Sequence, residues 1–294
     1  MNLQLLKNTI CTPSVIRRKI AIFALFFVVF SGCVRENDVP AYLSIPSFSL
    51  ITTSAQGSAS HKITDVWVFV DGIALGAFQL PALLPVVGVG SRNIQLFAGI
   101  RNNGIKANPI IYTPYKLYET TLILKSGETE TLRPTTTYTS NTRVWLNDEF
   151  EIDNSFRIDK DNNTNLKFTS TPNGFEGKGA VLTLTQANPL MEKASSIKAQ
   201  LPDNAQDTYI ELNYKTEAPL AVGIWGTSSN NPLGEITYKI VLTPNTTWNK
   251  TYINITNECK DLKKTDFQVI FRSIKPDTLS QAAIYIDNVK LIQR

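Results

Sequence analysis

A period of two in the apolar residues limits this chain to strand-based folds. Apolar residues take every second position in segments that lie within 210–214, 236–242, 253–255 and 267–271. Because successive side chains of a strand point to opposite faces, this period indicates strands with one packed face and one face open to solvent or a partner. No stretch sustains the 3.6-residue period of an amphipathic helix. The sequence therefore predicts an all-β protein.

Turn residues and a polar segment divide this β sequence into two blocks. Short runs rich in Val, Ile, Thr, Tyr and Phe are separated by Gly, Pro, Asn and Asp, as is typical of many short strands. Asp71-Gly72 follows the predicted strand 64–70, whose last five residues are all apolar, and predicts a two-residue hairpin turn. The polar segment 139–148 is the predicted linker. We expect an immunoglobulin-like β-sandwich over 41–140 and a jelly-roll β-sandwich over 149–294.

The N-terminus predicts export. Residues 1–19 carry four basic residues and no acid, and the apolar run 20–30 is too short to cross a bilayer as a helix. The sequence Val-Phe-Ser-Gly-Cys that ends at Cys33 resembles a bacterial lipobox, which implies a cleaved signal peptide over 1–32 and lipid on the Cys33 thiol. Residues 33–40 then form a tether. The alternative is an ordinary signal peptide with an incidental cysteine.

Charge and reactive side chains exclude several classes of function. Removing residues 1–32 leaves 25 basic and 25 acidic residues, so the net charge of +4 disappears and no nucleic-acid partner is expected. Cys259 is then the one cysteine besides Cys33, and His61 is the single histidine. A cysteine–histidine metal cluster is therefore excluded. We predict no enzyme activity and no required cofactor.

If the protein were an enzyme, a glycoside hydrolase with paired carboxylates would be the candidate, but one of the two carboxylates is missing. Glu149, Glu151 and Asp153 lie at a spacing of two, so on a strand they would share a face. Glu151-Ile152-Asp153 resembles the start of the catalytic strand of laminarinase-type hydrolases. Phe156 stands where that pattern needs its acid/base, so one carboxylate of the pair that glycoside hydrolysis requires is missing.

Short motifs add a resemblance to known families. The segment 67–76 resembles PEGA-type immunoglobulin-like sandwiches. The segments 177–182, 248–253 and 284–291, the last containing Asp287-Asn288-Val289, resemble carbohydrate-binding-module jelly rolls. The whole arrangement resembles cell-envelope lipoproteins of Bacteroidota. The resemblance implies lipid anchoring in the bacterial cell envelope, at the outer membrane, and non-catalytic glycan binding by the C-terminal jelly roll.

The candidate glycan site consists of strand residues that alternate with the core residues and therefore point away from the core. Sugars stack on aromatic rings, and their hydroxyl groups form hydrogen bonds with amides and charged groups. The predicted ligand-binding residues, on one sheet face, are Tyr209, Glu211, Asn213, Trp225, Gln268 and Arg272. The alternatives are that these residues are ordinary cross-strand fillers and that Trp225 is core. At the level of function, the alternative is a structural or assembly protein that docks to other envelope proteins.

A structural calcium ion is the one metal that the resemblance implies. In the jelly rolls that this chain resembles, the carboxylate of the closing strand binds Ca²⁺ with an acid from the start of the domain. Here Asp287 would be that carboxylate and Glu151 a partner, with Glu149 and Glu176 as alternatives. A second interpretation is that Asp287 accepts hydrogen bonds from backbone amides.

Overall fold

The computed structural model describes residues 39–202 and 206–294. The predicted signal peptide, Cys33 and most of the predicted tether lie outside these residues. Within them, no helix combines the length and the apolar character that crossing a membrane requires. The chain forms two successive β-sandwiches, which confirms the predicted all-β class.

The first sandwich is built from ten strands. They are β1 (Ala41–Ile45), β2 (Ser49–Leu50), β3 (Asp65–Val70), β4 (Ile73–Gln79), β5 (Ala82–Val86), β6 (Gly90–Arg101), β7 (Pro109–Ile111), β8 (Tyr118–Leu124), β9 (Thr129–Thr131) and β10 (Thr135–Thr136). One sheet has the order β4-β3-β6-β7, with β8 also paired to β6. Its partners are the sheet β5-β1-β9 and the pair β10-β2.

Apolar residues of these sheets share one core. Val68 on β3, Leu96 on β6 and Leu43 on β1 are completely buried in it. The predicted hairpin turn is confirmed, because Asp71 and Gly72 join β3 to β4. Both have positive φ angles, 51° and 78°. Two successive residues in this region give the turn geometry that matches the twist of a hairpin.

The second sandwich is built from twelve strands. They are β11 (Arg143–Asp148), β12 (Ile158–Asp159), β13 (Thr169–Thr171), β14 (Gly179–Thr185), β15 (Leu190–Ala194), β16 (Ala199–Gln200), β17 (Thr208–Thr216), β18 (Leu220–Ser228), β19 (Asn231–Leu242), β20 (Asn245–Asn254), β21 (Asp266–Ile274) and β22 (Gln281–Gln293). A helix, α1 (Thr256–Leu262), follows β20.

Two six-stranded sheets enclose the jelly-roll core. The first, with the order β13-β14-β22-β17-β20 and β11 on β22, is named sheet I here. The second, with the order β12-β15-β21-β18-β19 and β16 on β21, is named sheet II. Ile210 and Leu212 of sheet I and Phe267 and Phe271 of sheet II are buried between them, as their alternation predicts.

The segment predicted as a linker contains a strand of the second sandwich. β11 pairs with the C-terminal half of β22, and Leu146 on β11 is part of the jelly-roll core. The segment is polar because alternate residues of this edge strand face away from the core. A domain boundary at Glu149 would therefore cut inside the second sandwich, and the boundary in the structure lies between β10 and β11.

Candidate functional site

The single binding face predicted from the sequence is divided between two sheets. Tyr209, Glu211 and Asn213 lie on β17 in sheet I. Trp225, on β18, and Gln268 and Arg272, on β21, lie in sheet II. The outer faces of the two sheets point in opposite directions. Alternation correctly identifies residues that point away from the core, but it does not say which sheet carries them.

The half of the predicted site on β17 is buried under the first sandwich. Tyr209 is only 2% exposed and belongs to the core of the first sandwich. Its ring contacts the ring of Tyr112, with 4.9 Å between the centroids. The ring of Tyr252, on β20, lies at the same centroid distance from Tyr112. The expectation that Tyr209 is an exposed stacking residue is therefore wrong, because the first sandwich covers this face.

Glu211 is the centre of a polar cluster within that interface. Its carboxylate is completely buried and accepts hydrogen bonds from the hydroxyl groups of Tyr112, at 2.7 Å, and Tyr138, at 3.0 Å. Lys250 forms an ion pair with the same carboxylate at 3.2 Å. Burial and the nearby negative charge raise the pKa values of both tyrosines. They therefore stay protonated and remain hydrogen-bond donors to Glu211.

Asn213 and Lys290 extend the polar contact between the sandwiches. The side-chain oxygen of Asn213 accepts a hydrogen bond from the Ser60 hydroxyl at 2.8 Å. The Lys290 ammonium donates to the backbone oxygen of Ser58 at 2.6 Å. Burial lowers the pKa of Lys290 to about 8. Glu211 and Asn213 thus hold the two sandwiches together, and neither is available to a ligand.

The half of the predicted site on sheet II stays on an outer face. Trp225 and Gln268 are cross-strand partners, and Arg272 lies four residues further along β21, on the same face and opposite Ala221. Glu192 on β15 pairs with Arg272 from the other side, and its carboxylate lies 3.9 Å from the Arg272 side chain. Trp225, Glu192 and Arg272 are half-buried rather than covered.

Gln268 has a structural role on this face. It is completely buried, and its amide nitrogen donates to the backbone oxygen of Ser195 at 2.5 Å. This bond holds the segment after β15 against the sheet. The prediction of Gln268 as a ligand-binding residue is therefore wrong, because an adjacent segment covers its side chain.

Lys160 covers the aromatic ring that the sequence identified. Its ammonium lies 3.9 Å from the centroid of the Trp225 ring, a cation–π contact. The indole nitrogen of Trp225 donates to the backbone oxygen of Leu233 at 3.0 Å. The ring is thereby fixed in orientation. A sugar that stacks on the covered ring face would take the position of Lys160.

Tyr238 is a residue of this face that the alternation missed. The pattern 236–242 predicts that Ile236, Tyr238 and Ile240 share one face. A bulge changes the register, because Ile240 pairs with Val222 and Tyr238 pairs with Gly223. Ile240 therefore packs against the core, whereas Tyr238 shares the outer face with Trp225.

Gly223 makes this bulge possible. A Cβ atom at Gly223 would lie 2.1 Å from the backbone oxygen of Thr237, so only glycine allows this approach of the two strands. The Tyr238 hydroxyl donates to the Glu192 carboxylate. Burial and that carboxylate raise the pKa of Tyr238. The isolated glycine inside a strand pattern was the available signal for the bulge.

Asp287 caps backbone amides. One carboxylate oxygen accepts from the amides of Phe175, at 2.8 Å, and Glu176, at 3.0 Å. The other accepts from the amide of Asn288 at 2.7 Å. Glu151 in turn accepts from the amide of Lys178 at 2.9 Å. A cation at Asp287 would face these N–H donors, so the residues around Asp287 do not fit the calcium site proposed for Asp287 and Glu151.

The three acids at the start of the jelly roll do not share a strand face. Residues 149–157 form an irregular segment between β11 and β12. Glu149 accepts from the amide of Ser58 at 2.6 Å, and Asp153 pairs with Arg157. Phe156 is buried in the core. Each acid therefore has a different hydrogen-bond or ion-pair partner, and the three do not form one site.

Comparisons with known proteins give distant structural likenesses. No family model and no curated protein matches the chain. The chain is similar to a family 11 carbohydrate-binding module of a Clostridium thermocellum cellulosomal cellulase, with 16% identity and a TM-score of 0.39, over 53% of this chain and 96% of that one. It is similar to a family 30 module of another cellulosomal cellulase of that organism, with 12% identity and a TM-score of 0.37, over 51% and 96%.

A third likeness covers more of the chain. A solved structure described as carbohydrate-binding modules of the β-sandwich superfamily matches with 13% identity and a TM-score of 0.36, over 77% of this chain and 84% of that one.

Proposed function

We propose that the protein is a non-catalytic glycan-binding protein whose site is the outer face of sheet II. The observation that carries this proposal is the difference between the two outer faces of the jelly roll. The face with Glu211 is buried, whereas the face with Trp225, Tyr238, Glu192 and Arg272 keeps two aromatic rings and two charged groups half-exposed. A flat aromatic surface beside hydrogen-bonding groups suits the apolar and hydroxyl faces of a sugar ring.

The deciding experiment is a glycan array followed by titration of any hit. We expect Trp225→Ala and Arg272→Ala to weaken binding by at least about tenfold each, which corresponds to about 1.4 kcal/mol. Trp145→Ala is the matched control, because Trp145 is also half-buried with a cation, Arg143, over its ring, but lies in sheet I. Equal loss in the control, with all variants folded by circular dichroism, would contradict a site on sheet II.

Substitution of Lys160 is expected to change the binding affinity in the opposite direction. If a sugar stacks on the ring face that Lys160 covers, binding must first displace the ammonium. The cation–π contact is worth about 0.5–1 kcal/mol at such a site. We therefore expect Lys160→Ala to strengthen binding by up to about fivefold. Weaker binding in this variant would show that Lys160 contacts the ligand instead.

We also propose that lipid on Cys33 anchors the protein in the cell envelope. The support is the lipobox-like sequence that ends at Cys33 and the basic and apolar segments before it. Cys33→Ala is expected to abolish palmitate labelling and to release the protein from membranes, or to leave an uncleaved precursor. Unchanged labelling and fractionation in this variant would contradict the proposal.

Docking to another envelope protein is the second candidate function. It is favoured by β5, an edge strand of its sheet, where Leu83 is 65% exposed, and by Val87 just beyond it, which is 82% exposed. An apolar strand at a sheet edge can pair with another chain. A silent glycan array, together with loss of a co-purifying envelope protein in Leu83→Glu, would favour this function over glycan binding.

A further inference from the structure

A groove of about 400 Å³ lies between the two sandwiches, away from Trp225. One wall comes from the first sandwich and contains Lys62, Arg101 and Lys106. The other comes from β19 and β20 of the jelly roll and contains Asn249, Lys250 and Thr251. The site therefore exists only when both sandwiches are in place.

Hydrogen bonds across the interface fix the two walls. The amide of Asn103 donates to the backbone oxygen of Tyr252 at 2.9 Å, and the Asn103 side-chain oxygen accepts from the amide of Asn254 at 2.9 Å. The amide of Lys62 donates to the Tyr252 hydroxyl at 2.8 Å. A groove with fixed walls loses little conformational entropy when a ligand binds.

The groove carries a local excess of positive charge. Four basic residues line it, and no acidic residue is among its lining residues. The charges of two of them are neutralised by acids that do not line the groove: Arg101 pairs with Asp65 at 2.9 Å, and Lys250 pairs with Glu211 at 3.2 Å. Lys62 and Lys106 are exposed and have no acidic partner among the described residues. This excess stands out because the chain after residue 32 has equal numbers of acidic and basic residues.

Polar groups beside these lysines suit a hydroxylated anion. The Lys62 ammonium donates to the Asn249 side-chain oxygen at 2.5 Å. The Thr251 hydroxyl is buried and has no hydrogen-bond partner. A buried hydroxyl without a partner is costly, so a ligand oxygen that accepts from Thr251 would remove that cost.

We propose that this groove binds the carboxylate or sulfate group of an acidic polysaccharide. Lys62 and Lys106 would neutralise the anion, Thr251 would donate to it, and Asn249 would contact neighbouring hydroxyls. The volume suits a small ligand unit, such as one charged sugar residue. A nucleic acid is the less suitable polyanion, because phosphate-backbone binding uses a longer basic tract.

The test is affinity electrophoresis of the full-length protein in gels that contain polygalacturonate, dextran sulfate, uncharged dextran or poly(dT). We expect retardation by polygalacturonate or dextran sulfate, which distinguishes carboxylate from sulfate. The double variant Lys62→Gln/Lys106→Gln should lose at least about tenfold in affinity, or about 1.4 kcal/mol. Trp225→Ala should keep this binding, which separates the groove from the site on sheet II.

Two further variants control for charge and for folding. Lys116→Gln/Lys198→Gln removes the same charge from exposed lysines outside the groove and should bind as the wild type does. Thr251→Val should weaken binding without lowering the melting temperature, since it removes a hydroxyl that has no partner in the free protein. Retardation by neither acidic polymer, equal loss in the control pair, or equal retardation by poly(dT) would each overturn the proposal.

Discussion

Three side chains hold the buried carboxylate of Glu211, and two sandwiches contribute them. Tyr112 and Tyr138 come from the first sandwich, and Lys250 from the jelly roll. The two tyrosine hydroxyls donate to one oxygen of this carboxylate, and the Lys250 ammonium compensates a charge that water cannot reach. Such a cluster is expensive to break, because any partner left behind remains buried.

We expect Glu211→Ala to lower the free energy of unfolding by about 3–5 kcal/mol, because it leaves Lys250 buried without its counter-charge. The measurement is urea denaturation at neutral pH. Glu128→Ala is the matched control, since Glu128 pairs with Lys125 on the surface and such pairs contribute about 1 kcal/mol or less. Similar losses in the two variants would contradict the importance of the buried cluster.

Asp287 predicts a pH dependence of stability. Burial raises its pKa to about 6, above the ordinary value of 3.8. Between these values the folded protein binds the proton that the unfolded chain releases, so stability falls as pH rises from about 4 to about 6. Asp287→Asn should flatten this part of the profile of melting temperature against pH. A rise in melting temperature with millimolar calcium that Asp287→Ala abolishes would contradict amide capping.

At the level of elements, β11 decides where the second sandwich begins. It pairs along the last residues of β22 and places Leu146 in the core. A fragment that begins at Thr139 retains this strand, whereas one that begins at Glu149 leaves the edge of β22 unpaired. We expect the longer fragment to have the higher melting temperature and the sharper transition. Equal melting of the two fragments would show that β11 adds little to the jelly roll.

The elements also show how far sequence patterns reach. Strand alternation predicts the core positions Ile210, Leu212 and Phe271, because period two is local information. It cannot show that Glu211 lies under the first sandwich or that Gln268 is covered by the segment after β15. Those outcomes depend on contacts between residues distant in sequence. Tyr238 was missed because one bulge reverses the parity along β19.

At the scale of the whole molecule, the buried interface couples the two sandwiches. Tyr209 and Tyr252 of the jelly roll are part of the first sandwich's core. Neither sandwich can unfold without exposing these rings and the charge of Glu211. We therefore expect one calorimetric transition for the chain, with equal calorimetric and van't Hoff enthalpies. Two separated transitions in the wild type would contradict this coupling.

The short connection between β10 and β11 has a mechanical consequence. β10 ends at Thr136 and β11 begins at Arg143. Within that connection the amide of Thr142 donates to the backbone oxygen of Thr139, and the amide of Thr139 donates to the backbone oxygen of Pro114 in the first sandwich. Because this connection is short and many contacts cross the interface, the described residues between the two sandwiches do not form a hinge. A force applied to the first sandwich therefore rotates the jelly roll with it as one rigid body. The orientation of the first sandwich would then set the orientation of any polymer bound to the jelly roll.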